Sequence, residues 1–413
     1  RIHAILSVTV KSVPLLVKMG YMRHLSVPTD RAQDIIEIIR GYDWQSSEYR
    51  IHQIEQDKIV IPLSAEVPDT LPENIIGDIV FIDPIPNPQN HGSWKEIFEK
   101  EIGQEMVSKL DDRLSRGHEI IGDIMIQPAH RFDDGRPDYV DVLVRAKMKT
   151  HPRIRLTLFD YGVKGKFRVR DLEVAAVRLD RIVQGDELQE IPAELLSSET
   201  TIKESGLHIH LDPREVYYSG KLENERLETT RKLLDFRDEI NRPLAICDLY
   251  CGVGPNLVHL FPHHGLTGPI LANDLNPACI PYLFRNLPPL KSLSFLEING
   301  ILQVTEDIQI ANMDALVLAS DRNQHGRWDV LFVNLPHDTL EHLPHLIPLL
   351  RKDTPSIIRG WSILPTSELS TLSDRLFSNL RNRSSHSDIS FKVRKQYGAT
   401  KSMVGFWIRI RPE

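Results

Sequence analysis

The sequence has only three cysteines in 413 residues, Cys247, Cys251 and Cys279, and no two of them form a C-x-x-C pair. A disulfide framework is thereby excluded, and the natural setting is a reducing, intracellular compartment. No apolar run approaches the ~18 residues that a membrane-spanning helix needs. The N-terminal stretch is interrupted by Lys11, Pro14 and Lys18 and has no signal-peptide core, so it reads as folded protein. Arg1 in place of Met suggests a start inside a longer sequence, which leaves a lost targeting peptide open. Positive charge is not in excess either: 50 Lys+Arg against 57 Asp+Glu give −7, an average that points away from nucleic acid. Polyanion binding, however, depends on where the basic residues lie. A metal-ligand cluster is also lacking, since His263-His264 and His208-x-His210 read as surface or strand histidines.

What is present is ordinary globular material, with 41% hydrophobic, 26% charged and 7% aromatic residues, which excludes disorder, collagen and coiled coil for the whole. The length predicts two or three domains. Residues 1–90 read as a small α/β region: apolar segments at Ile5 to Val10, Val13 to Val17 and Lys58 to Pro62, a helix from Arg31 to Ile39, and a strand at Gly77 to Ile82. Six prolines within 27 residues, Pro62 to Pro88, mark linker or loop around that strand.

Residues 91–201 read as a mixed α+β domain. It opens with a helix pattern from Trp94 to Leu114, with Ile97, Ile102, Met106 and Leu110 at near-helical spacing. Strand patterns follow at Glu119 to Ile126, Tyr139 to Arg145, Ile154 to Asp160, Lys166 to Arg170 and Glu173 to Leu179. Ile-Ile-Gly-Asp-Ile occurs twice, at Ile75 and Ile120, which is too short to establish a repeat. Residues 202–413 alternate strand and helix, the pattern of a parallel sheet flanked by helices, whose ligands sit beyond the carboxyl ends of the strands.

The most informative segment is Ala245-Ile-Cys-Asp-Leu-Tyr-Cys-Gly-Val-Gly-Pro-Asn256. An apolar strand ends in Asp248 and turns through Gly252 and Gly254 into a helix, offering backbone amides and a close approach to a nucleotide. Leu257 stands where a G-x-G-x-x-G motif needs its last glycine, so dinucleotide binding is disfavoured. Asp274 ends the next strand, 26 residues after Asp248, where an acid can accept hydrogen bonds from ribose hydroxyls. Taken alone, such an Asp is more often a helix cap. Asp314 follows a third strand, and a nucleobase amino contact and a solvent-facing loop acid are nearly equal readings. Asn334, in Asn334-Leu-Pro336-His337, stands where an amide could hold the edge of a planar base, although Asn before Leu-Pro is also plain turn chemistry.

Together the series Asp248 to Pro255, Asn273-Asp-Leu-Asn-Pro277 and Asn334-Leu-Pro336 resembles the tRNA guanine-37 N1-methyltransferase family of archaea and eukaryotes, close to the wybutosine-pathway transferases. Further segments match it in order: Ile120 to Ile124, Gly165 to Arg170, Val216 to Arg226 and, more loosely, Arg394 to Met403. The resemblance implies a class I, Rossmann-like methyltransferase domain that binds S-adenosylmethionine, a middle domain that holds tRNA, and methylation of N1 of guanosine 37. Asp248, Tyr250, Gly252, Gly254, Asp274, Asp314 and Asn334 then line the cofactor. Glu225 falls on the family's catalytic carboxylate, Arg168 or Arg170 on its arginine, and Asn334 on its base-positioning asparagine. Ser219-Gly-Lys221 departs from the commoner Ser-x-Arg and leans toward the aminocarboxypropyl transferases, while Asn273 to Pro277 and Asn334 to Pro336 lean toward methyl transfer. Read without the resemblance, Glu225 is a charge on a helix face paired three or four residues away. A non-catalytic RNA-binding relative is the rival of another class.

Charge is unevenly distributed. Between Arg145 and Arg170 nine basic residues stand against one acid, a local +8 that leaves −15 for the rest. Arg145, Lys147, Lys149, Arg153, Arg155, Lys164 and Lys166 are expected to meet phosphates from one face of strands, each contact adding to salt-dependent affinity. Arg226 is grouped with them as an RNA contact. A monomeric, cytoplasmic enzyme with tRNA as partner and no metal or membrane is the expectation.

Overall fold

The structure is a computed structural model that describes residues 22–42, 44–46, 49–55, 57–64, 67–68, 70–72, 74–82, 84–85, 93–110, 117–129, 137–293, 298, 300–380, 383, 387–397 and 400–412. The expected segments Ile5 to Val10 and Val13 to Val17 lie outside these residues. Where the sequence suggested three regions, the chain divides into two compact units: residues 1–114 with 136–153, and residues 115–135 with 154–413.

In the first unit, β1 (Met22–Pro28), β2 (His52–Glu55), β3 (Lys58–Pro62) and β4 (Asp78–Ile82) form an antiparallel sheet in the order β2-β3-β1-β4. Helix α1 (Ala32–Gly41) buries Ile35 and Ile39 with Leu25, Val27 and Ile61 of that sheet. The pattern expected to be one helix from Trp94 to Leu114 is broken: α2 (Trp94–Ile102) ends at Gly103, which has φ +85°, and α3 (Gln104–Leu110) follows, with Met106 exposed. The expected strand at Tyr139 to Arg145 is a helix, α4 (Asp138–Thr150). Asp138 and Asp141 in its first turn and Lys147 and Lys149 in its last suit the helix dipole, and Leu143 and Ala146 pack on Phe98. Tertiary burial and end charges here outweigh the β-branched content that suggested a strand.

The second unit contains a five-stranded sheet, β5 (Glu119–Ile121), β6 (Ile124–Pro128), β7 (Leu156–Lys164), β8 (Val169–Arg178) and β9 (Ile182–Gln184), in chain order. The two segments read as Lys166 to Arg170 and Glu173 to Leu179 are one strand, β8, preceded by a turn from Gly165 to Arg168. The second Ile-Ile-Gly-Asp-Ile forms the β5–β6 hairpin, and a Cβ on its Gly122 would lie 2.2 Å from Thr200 Oγ1. Its first copy, Ile75 to Ile79, runs into β4 and pairs with β1 through Asp78 and Ile79, so it does not form a hairpin like the second. A hairpin, β10 (Thr200–Glu204) and β11 (Leu207–Leu211), leads to the long helix α5 (Glu223–Ile240).

From there the chain alternates: β12 (Leu244–Asp248), α6 (Pro255–Leu260), β13 (Thr267–Asn273), α7 (Cys279–Asn286), β14 (Gly300–Gln303), β15 (Ile308–Asn312), α8 (Ala315–Ser320), β16 (Val330–Val333), α9 (Thr339–Leu346), β17 (Ser356–Pro365), α10 (Leu372–Asn379), β18 (Ser387–Tyr397) and β19 (Lys401–Ile410). The eight strands run β14-β15-β13-β12-β16-β17-β19-β18, with β15, β13, β12, β16 and β17 parallel and β19 antiparallel between β17 and β18. The chain winds outward from β12 through β13 to β15, then returns to the other side of β12 as β16. That reversal opens a crevice at the carboxyl ends of β12 and β16, the place where doubly wound sheets bind ligands. Two apolar layers cover the faces, one containing Leu233, Phe236, Leu257 and Phe332, the other Trp328, Leu331, Leu343 and Leu376.

Candidate active site at the carboxyl edge of the sheet

All five residues of β12 are buried, and Asp248 at its end is fully enclosed. Its Oδ1 accepts the Tyr250 N–H at 3.3 Å, while Oδ2 makes no hydrogen bond of good geometry. Burial pushes this carboxyl up to about 7, against the pull of the Tyr250 N–H and the Asn256 side chain. The turn that follows needs its glycines. Gly252 and Gly254 have φ of +54° and +84°, and a Cβ on Gly254 would lie 2.8 Å from Leu283 Cδ2, so only glycine lets α6 start against α7.

Asp274 closes the turn from the neighbouring strand. Its Oδ2 accepts the Gly252 N–H at 2.7 Å and its Oδ1 the Asn276 N–H at 2.9 Å, so both oxygens cap local backbone. Burial raises its pKa, with those two N–H groups opposing. Asn273, fully buried beside it, ties three strand ends together by donating to Leu249 O and Met313 O and accepting the Met313 N–H. Tyr250 shares a 2.7 Å hydrogen bond with His342 Nδ1, and burial raises its phenol pKa. Asp314 is exposed, and its Oδ1 caps α8 through the Leu316 and Val317 N–H groups at 2.7 and 3.4 Å.

Asn334 is half-buried at the end of β16, and among the described residues its side chain makes no hydrogen bond. The backbone around it is pinned: Pro336 O accepts the Ile363 N–H at 2.6 Å, and Leu335 O accepts Thr339 Oγ1 at 2.8 Å. A free amide on a fixed loop can hold a planar base edge. His337, three residues on, is exposed and has a lowered pKa, chiefly from partial desolvation and then from the charge of Arg168.

Arg168 and Arg170 are now distinguishable. Arg170 pairs with Glu119 at 2.6 Å and Asp160 at 3.7 Å, and its side chain is 13% exposed. Arg168 sits at the tip of the β7–β8 hairpin with φ +54°, and no carboxylate among the described residues pairs with it. Arg170 is held in the sheet, whereas the charge of Arg168 contributes to the lowered pKa of His337.

Glu225, in the first turn of α5, is buried and doubly paired: Arg359 Nη2 donates to Oε2 at 2.5 Å and Arg394 Nη1 meets Oε1 at 2.8 Å. Its partner Arg359 lies in the row Asp248, Phe332, Arg359, Trp407 across the sheet, so Glu225 is held level with the crevice. The helix-face pairing expected within Glu223 to Arg231 is replaced by partners from β17 and β18.

The basic run is not one strand face. Arg145, Lys147 and Lys149 are helical and, with Arg153, belong to the first unit, whereas Arg155, Lys164, Lys166, Arg168 and Arg170 belong to the second. Lys147 is fully buried over the Trp94 ring, 4.9 Å from its centroid, and burial lowers its ammonium to about 8. It cannot meet phosphate. Arg145 and Lys149 pair with Glu101 at 2.9 and 2.7 Å. Arg155 is bound to Asp123, Ser197 O and Glu199 O. Arg153, Lys164 and Lys166 are exposed, with Lys164 on Asp171 at 2.7 Å.

Arg226, grouped by the sequence with the RNA contacts, is buried instead. It is 4% exposed and donates to Glu204 Oε1 at 2.6 Å, in a buried network that also contains Tyr218 and His259. Burial would raise the Glu204 pKa, but His259, Arg226 and Tyr218 together hold it below the usual carboxylate range. Arg226 is thus a strut between β10 and α5 and not an RNA contact. Sequence reasoning missed Arg359 and Glu204; the available signal was an isolated charge inside an apolar strand, in Ser356-Ile-Ile-Arg-Gly-Trp361 and in the alternating β10.

No family model matches the chain. A curated relative, tRNA (guanine(37)-N(1))-methyltransferase 1 of Phaeodactylum tricornutum, is 31% identical over 142 residues, which are 34% of this chain and 29% of that protein. The chain spans 29%, 44% and 21% of the length of the first three curated relatives it matches. The crystal structure of Trm5b from Pyrococcus abyssi superposes with TM-score 0.56 at 18% identity, covering 94% of this chain and 99% of that one. The complex of aTrm5 with tRNALeu gives the same score and coverage. The fold is therefore that of the class I methyltransferases, and over part of its length the chain is similar in sequence to curated tRNA (guanine(37)-N(1))-methyltransferases.

Proposed function

We propose that this chain transfers a methyl group from S-adenosylmethionine to N1 of guanosine 37 in tRNA, next to the anticodon. The observation that carries the reading is the unengaged amide of Asn334 across the switch point from the Gly252–Gly254 turn, in a loop that feels the charge of Arg168.

The residues present fit the cofactor. A Cβ on Gly252 would meet only Tyr217 O, at 4.0 Å, so a ligand can lie against that backbone. Asp274 is the acid for the ribose hydroxyls, Tyr250, Gly252 and Gly254 lie along the methionine and ribose part above the buried Asp248, and Asp314 lies toward the adenine. Bound there, S-adenosylmethionine supplies the methyl group; its sulfonium is already activated, so the reaction calls for no Lewis-acid metal.

Guanine N1 carries a proton and is a weak nucleophile at neutral pH. Its methylation calls for a base at N1 and a cation near O6, where negative charge develops. Glu225 takes the N1 proton, Arg168 holds O6, and Asn334 fixes the base edge. Proton transfer to a placed base contributes roughly 10²–10⁴-fold. Arg153, Lys164 and Lys166 meet tRNA phosphates, and residues 1–90 serve tRNA recognition. The enzyme works as a monomer in the cytoplasm.

The test is incubation of the protein with cofactor labelled in the methyl group or in the aminocarboxypropyl group, and with tRNA transcripts bearing G or A at position 37. Methyl transfer to the G transcript alone supports the proposal. Aminocarboxypropyl transfer, or binding without transfer, overturns it.

A further inference from the structure

Glu225 is held by two arginines of unlike freedom. Arg359 is fully buried between the rings of Trp361 and Trp407, with its guanidinium carbon 4.2 and 4.9 Å from their centroids. Its Nε donates to Thr229 Oγ1 at 3.2 Å, its Nη1 to Phe406 O at 3.2 Å and its Nη2 to Glu225 Oε2 at 2.5 Å. All three nitrogens of that guanidinium donate, and two indole rings lie within 5 Å of its carbon, so it is a fixed anchor. Arg394 comes from β18, spans Glu225 Oε1 at 2.8 Å and Glu228 Oε2 at 2.9 Å, and keeps 14% of its side chain exposed. A Cβ on Gly405 would lie 3.0 Å from Arg359 Nη1 and 3.3 Å from Arg394 Nε, so the glycine makes room for both.

We propose that Arg359 and Arg394 are positioning residues that fix the plane of the Glu225 carboxylate for proton abstraction from guanine N1. This inference rests on the function proposed above. A carboxylate has about four lone-pair sites. With one on each oxygen taken by a guanidinium, the clamp leaves each oxygen a further site and removes the rotation that would misaim it. In the step itself the N1–H bond breaks, its proton bonds to Glu225, and the N1 electron pair forms the bond to the incoming methyl carbon. The electron pair of the broken carbon–sulfur bond stays on sulfur.

Arg394 carries the test, because removing the fully buried Arg359 leaves an uncompensated charge that can unfold the protein. Arg394→Gln, Arg394→Lys and wild type are compared for single-turnover methyl transfer to the G37 transcript, S-adenosylhomocysteine affinity by calorimetry, and melting temperature. The expected result is a tenfold or larger fall in rate for Arg394→Gln with ligand affinity within twofold, and recovery of most of the rate in Arg394→Lys. An undiminished rate in a folded Arg394→Gln protein, or a fall matched by lost affinity, overturns the positioning role and leaves the proposed function standing. A wild-type protein that transfers no methyl group takes both down.

Discussion

Asn273 and Met313 hold each other in both directions: Asn273 Nδ2 donates to Met313 O and the Met313 N–H donates to Asn273 Oδ1, both at 3.1 Å. With its third bond, to Leu249 O at 3.0 Å, this buried amide fixes the relative height of the loops after β12, β13 and β15. Asn273→Ala would strand these backbone groups, at about 1–3 kcal/mol for each buried group left unpaired. We expect a melting temperature lower by several degrees and S-adenosylhomocysteine binding weakened at least tenfold. Unchanged binding in the folded variant would separate the loop staple from the cofactor site.

Asp248 should make stability depend on pH. Its folded pKa, about 7, lies above the ordinary carboxylate value of 3.8. The protonated form is favoured in the fold, so this contribution is complete below about pH 4, declines as pH rises toward 7, and is gone above that. The full effect is on the order of 4 kcal/mol. Asp248→Asn, which cannot ionise, should therefore gain stability over wild type between pH 5 and pH 8. Thermal melts at the two values check this; a pH-independent difference would remove Asp248 as the cause.

The two candidate arginines should separate by assay. Arg170→Gln breaks the pair with Glu119 and Asp160, so its main effect is a lower melting temperature. Arg168→Gln should leave stability within about 0.5 kcal/mol, as surface changes usually do, and cut methyl transfer by 10²-fold or more, in line with loss of an oxyanion-type donor. It should also raise the His337 pKa in part, since desolvation is the larger cause of its depression. Histidine ring NMR reads that shift, and no movement would place Arg168 away from the Asn334 loop.

Asn334→Ala removes an amide that has no protein partner among the described residues, so stability should not change. Turnover should fall 10- to 100-fold with S-adenosylhomocysteine affinity retained. Lost ligand affinity with unchanged turnover would move Asn334 from the base to the cofactor.

Lys164 and Lys166 are exposed at the β7–β8 tip. Replacing both by Ala should reduce the slope of log affinity for tRNA against log salt by about 1–2. Arg226→Gln should instead destabilise the fold by roughly 3–5 kcal/mol, because it leaves Glu204 without its buried guanidinium. An Arg226→Gln protein of native stability and reduced salt slope would restore that arginine to the RNA surface.

What the sequence by itself determined is the part governed by neighbours a few residues apart. Strand, glycine turn and helix at Asp248 to Pro255 follow from local backbone needs, and so do the acid after β13 and the asparagine after β16. The same local signals misled at Tyr139 to Arg145, where apolar and β-branched residues serve a helix because of what they pack against. Only the tertiary structure decided the charges. Lys147 and Lys149 stand two residues apart, yet one is buried on Trp94 and the other pairs with Glu101 at the surface. Glu225 and Arg359 are 134 residues apart and touch because parallel pairing of β16 with β17 brings Arg359 beside Phe332 and under α5. A charge settles where its partner and its solvation allow, and both are set by strand order and burial rather than by adjacent residues.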